Sequence, residues 1–140
     1  MRSSEVKATI ISVIEGITPD SKASARDTFR HVDNAGRQGL RAPDRVFTMD
    51  VVDLPKRADL MTVDALVMQV EITVLYSAAR GSEDRVSNDA ERIERALLNL
   101  AAQHADLYAA NILPLDAVET ENTIEARFLA DVTYRLTGVA

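Results

Sequence analysis

Two histidine–carboxylate pairs, His31-x-Asp33 and His104-x-Asp106, are the residues of this chain best suited to chemistry. An imidazole beside a carboxylate can ligate a metal or relay a proton. The two pairs stand far apart, no third histidine exists, and the spacing matches no metal motif. The absence of cysteine excludes thiolate metal sites, disulfides and cysteine nucleophiles together. A Ser-His-Asp set is spatial and stays open on composition, but no Gly-x-Ser-x-Gly elbow occurs. Gly36-x-x-Gly39 lacks the lysine–serine that a phosphate loop needs. These patterns predict no catalytic, cofactor-binding or metal residue, and no enzyme.

Charge is the other property that could act on a partner. The chain has a net charge of −6, the wrong sign for a general DNA-binding surface. The balance is uneven. Lys22, Arg26, Arg30, Arg37, Arg41 and Arg45 stand against Asp27, Asp33 and Asp44, so this segment is locally basic. Only Phe29 is interleaved with these arginines, which argues against a stacking platform for single strands. The segment reads either as a contact for an acidic surface or as a solvated loop.

The elements that position these residues follow from periodicity. Val6, Ile10, Val13 and Ile14 form one stripe of a helix over about Ser4 to Glu15, capped by Ser3 or Ser4 and stopped by Gly16 and Pro19. Thr28 to Val32 reads as a short strand. The stretch from Asp33 to Pro43 reads as a long loop, flexible over about residues 33–44. Arg45 to Val52 reads as a strand, and Asp53 to Leu60 as a break at Pro55. Ala65 to Tyr76 alternates, with Met68, Val70, Ile72, Val74 and Tyr76 on one face. Ser87 or Asn88 is placed to cap a second helix, with Asp89 and Glu91 in its first turn and Ile93, Ala96, Leu97 and Leu100 inward. Asn111 to Glu119 contains Pro114 and is therefore expected at a sheet edge. Ile124 to Leu136 alternates again, with Ala126, Phe128, Ala130, Val132 and Tyr134 inward.

The predicted fold is α+β: a four-stranded, mainly antiparallel sheet with two helices on one face, in the order α-β-β-α-β-β. At 140 residues it forms a single domain, 1–140, able to bury roughly two thirds of its unfolded surface. Fractions of 46% hydrophobic and 27% charged residues are those of a folded chain. No signal peptide and no membrane span are expected, so the protein should be soluble and made in the cytoplasm. The second face of the sheet would carry Gln69, Glu71, Thr73, Glu125, Arg127, Thr133 and Arg135, mixed in sign, with Leu75 and Leu129 among them. Such a face is either solvated or a subunit interface.

This layout resembles the tail terminator, or tail-completion, proteins of long-tailed bacteriophages. The resemblance is carried by Met68-Gln69-Val70-Glu71-Ile72-Thr73-Val74-Leu75-Tyr76, by the helix from Asp89 to Gln103, and by Ile124 to Leu136 with its Val132-Thr133-Tyr134 ending. It implies a structural virion protein at the head–tail junction, made in the host cytoplasm. It implies a homo-oligomer, a hexameric ring that caps the tail tube protein and offers a surface to the head connector. DNA passes through the lumen without specific binding, and no cofactor and no membrane are involved. Six subunits of −6 make an acidic ring, whose lumen would repel phosphates and let DNA slide. The interface candidates are Arg37 and Arg41 in the basic loop, with Glu71, Arg127, Asp131 and Arg135 on the sheet. The connection from Ser77 to Val86 is a further contact candidate. The alternatives are another head–tail joining protein, a small cytoplasmic α+β enzyme or ligand-binding domain, and a regulatory nucleic-acid binder, which the acidic balance disfavours.

Overall fold

A computed structural model describes residues 2–17, 28–33, 44–52, 56–57, 65–77, 83–104, 107–119 and 123–135. The elements are α1 (Ser3–Glu15), β1 (Arg30–His31), β2 (Val46–Val51), β3 (Lys56–Arg57), β4 (Ala65–Ser77), α2 (Glu83–Leu98), α3 (Leu100–Gln103), β5 (Leu107–Glu119) and β6 (Thr123–Arg135). The loop at 34–43, Pro19 and Leu136 lie outside the described residues.

The fold is α+β with a mainly antiparallel sheet, as the alternation implies, but among the described residues the sheet has six strands and three helices accompany it. Its order is β1-β2-β4-β6-β5, with β3 also paired to β4. The long elements α1, β2, β4, α2, β5 and β6 keep the order α-β-β-α-β-β; the short β1, β3 and α3 are additional, and β1 pairs with β2 in parallel, so the sheet is not the four-stranded one expected. Two short strands account for the difference. β1 lies within the short strand read at Thr28 to Val32, whereas β3 falls in the stretch read as a break, since two residues have no period to read. β2 pairs with the C-terminal half of β4 and β3 with its start, so the two lie in line along one edge of β4. β6 pairs with β4 along its whole length, from Ala65↔Arg135 to Ser77↔Thr123.

β5 is the outer strand, as Pro114 requires: proline cannot donate to a ladder and is tolerated where one side is unpaired. Its register against β6 shifts twice, between Ala110 and Leu113 and between Pro114 and Asp116. Such bulges bend an edge strand and raise its twist.

The helices cover one face. Val6, Ile10 and Ile14 of α1, Ile93 and Leu97 of α2, and Leu100 of α3 are fully buried. They form one cluster with Phe47 and Met49 of β2, the inward set of β4, and Ala126, Phe128, Ala130, Val132 and Tyr134 of β6. Burial pushes the Tyr134 phenol above its ordinary range. The cap of α1 is Arg2, one residue before Ser3 and two before Ser4, and its backbone N–H donates to the Glu5 carboxylate at 3.1 Å. α2 begins at Glu83, so Ser87, Asn88 and Asp89 lie inside the helix and do not cap it. The last part of the Ser77 to Val86 connection is therefore helical.

Candidate interaction surface

The side chains on the second face come from the odd-numbered residues of β4 and β6. Three cross-strand rows define its middle. Asp50, Glu71 and Leu129 share one row; Thr48, Thr73 and Arg127 share the next; Val46, Leu75 and Glu125 share the third. On this face the structure brings together Glu71, Arg127 and Asp131, three of the residues expected at an interface. Glu71 and Arg127 approach to 4.0 Å on a diagonal, with side chains 30% and 39% exposed. The Gln69 amide donates to Asp131, directly opposite, at 3.3 Å. Arg135 ends β6, exposed, opposite Ala65. Arg37 and Arg41 lie outside the described residues.

The face is not uniformly wet. Val46, Thr48, Thr73 and Leu75 are buried, although none belongs to the main cluster. Thr73 and Leu75 are therefore not available to a partner, which corrects their place among the surface candidates. Gln69, Leu129, Asp131 and Thr133 are half-buried and face the open part.

Exposed apolar side chains are the signal that sequence reasoning missed. Among the described residues, the large exposed hydrophobics are Val52, Leu98, Tyr108 and Val118. Three of them lie on this second face. Tyr108 pairs with Thr133, Val118 pairs with Glu125, and the Val52 N–H donates to the Gln69 carbonyl. They stand apart on it, Tyr108 level with Thr133 and Val118 with Glu125, and isolated exposed hydrophobics are ordinary.

At one corner the sheet is fastened by an ion pair with no counterpart in the sequence reading. Arg45 donates from Nε to Asp89 at 2.8 Å and from a terminal nitrogen at 3.3 Å, with side chains 1% and 0% exposed. The fork is bidentate, the strong form of this contact. The guanidinium also sits 6.0 Å from the centre of the Phe29 ring. The Arg45 carbonyl accepts the Arg30 N–H at 3.0 Å. One residue thus ties the start of β2 to β1 and to α2. It does so at φ 54°, a left-handed backbone that only glycine adopts without cost.

The two histidines are not brought together. His31 packs edge-on to Phe47, with ring centres 5.3 Å apart, beside a cleft of about 220 Å³ that also meets Lys7, Asp33 and Asp50. His104 lines a separate cleft of about 590 Å³ between α1 and the α2–α3 corner, with Thr9, Ser12, Asn99 and Gln103. Asp106 lies outside the described residues. Among the described residues no group of three or more His, Asp or Glu could hold a metal ion, and no helix is long and apolar enough to cross a membrane. No protein-family model matches this chain, and no curated protein matches it.

Proposed function

We propose that the chain is a structural virion protein of the tail terminator kind, a subunit whose work is assembly without catalysis. The four long strands β2, β4, β6 and β5 and the two long helices are the frame that resembles that family. The observation that carries the reading is the arrangement of the sheet. The described helices lie on one face, and the other presents a surface of mixed sign in which Glu71 and Arg127 are already paired across strands. Charges that neutralise one another can be covered by a neighbour at lower desolvation cost, and they set register more than affinity. On this reading six copies form a ring on the end of the tail tube, meet the head connector, and let DNA through an acidic lumen.

Light scattering with electron microscopy tests the proposal. Rings, or monomers that become rings on purified tail tubes and stop their growth, are the expected result. A chain that stays monomeric and leaves tube growth unchanged would overturn it. Mapping the charges onto the ring tests the acidic lumen separately, and a lumen lined by Arg and Lys would sink that part.

The cleft of about 590 Å³ favours a second reading, a ligand-binding domain. Its described lining offers hydroxyls, amides and one imidazole beside Ala8, Val13 and Ile17, a set suited to a neutral polar molecule. A bound small molecule that shifts His104 and Asn99 resonances while the chain stays monomeric would decide for it.

A further inference from the structure

We draw no further inference here: the strongest candidate, the cleft of about 590 Å³ between α1 and the α2–α3 corner, belongs to the site already described, and the polar side chains of its described lining are all exposed or half-buried, so none is fixed to select a ligand.

Discussion

Asp89→Asn should cost this fold about 3–5 kcal/mol. The substitution keeps the size of the side chain and removes its charge at a place where neither partner meets water. The guanidinium of Arg45 is 1% exposed and held by two bonds of 2.8 and 3.3 Å. The variant takes a carboxylate away from a buried guanidinium. With about 2.1 cal/mol/K of unfolding entropy per residue, 140 residues lose roughly 0.3 kcal/mol of stability per degree near the midpoint. The thermal midpoint should therefore fall by about 10–17 °C. Arg45→Met strands the carboxylate instead and should cost a similar amount. Methionine carries a Cβ at φ 54°, as arginine does, so backbone strain cancels in that comparison, which it would not for glycine. The double variant Arg45→Met/Asp89→Leu removes both charges and should be less destabilised than either single change, within about 2 kcal/mol of the parent. Urea unfolding followed by circular dichroism, with denaturant slopes compared, gives all four corners of the cycle. A cost below about 1 kcal/mol for Asp89→Asn, the range of a surface pair, would refute the reasoning. So would a double variant that loses the sum of the two singles.

Three further outcomes follow. Glu71→Ala and Arg127→Ala should each change monomer stability by less than about 1 kcal/mol, because the pair is 4.0 Å apart and part-exposed; a loss of several kcal/mol in urea unfolding would contradict the solvated geometry. Ile72→Ala, at a fully buried position between Met49 and Phe128, should cost about 2–5 kcal/mol by the same measurement. Burial holds the Tyr134 phenol above the ordinary tyrosine value of 10.0, so the folded state binds that proton more tightly than the unfolded one. Its contribution is complete below about pH 10 and is lost as pH rises through the folded value. Urea midpoints should fall across that range, and Tyr134→Phe should lessen the fall; an unchanged slope would count against the burial argument.

The long strands were legible because one face of each is buried and the other is not. Alternation alone places Ala65 to Tyr76 and Ile124 to Leu136 within one residue of β4 and β6 at either end. Pro114 alone places β5 at an edge, because its missing N–H is a local fact with a global consequence. The start of α2 was not legible. Ser87, Asn88 and Asp89 have the composition of a cap, and a cap is the usual use of those side chains. Here Asp89 faces inward because Arg45, 44 residues away, supplies the charge that lets a carboxylate be buried. A partner at that separation leaves no mark on the residues around Asp89, so local propensity gave the commoner answer.

The same distinction governs the candidate surface. Polarity on the second face can be read from the odd positions of two strands, and Glu71, Arg127 and Asp131 were found that way. Their mutual pairing follows from a register that sets Gln69 opposite Asp131 and Thr73 opposite Arg127, which burial of the even-numbered face restricts. Tyr108 and Val118 are the opposite case. Each is apolar, each lies in a strand, and each reads as core by type. They are exposed because β5 lies at the sheet's edge and its bulges turn it, leaving their side of the strand uncovered. Exposure of this kind is a property of which strand pairs with which, and no window around either residue contains it.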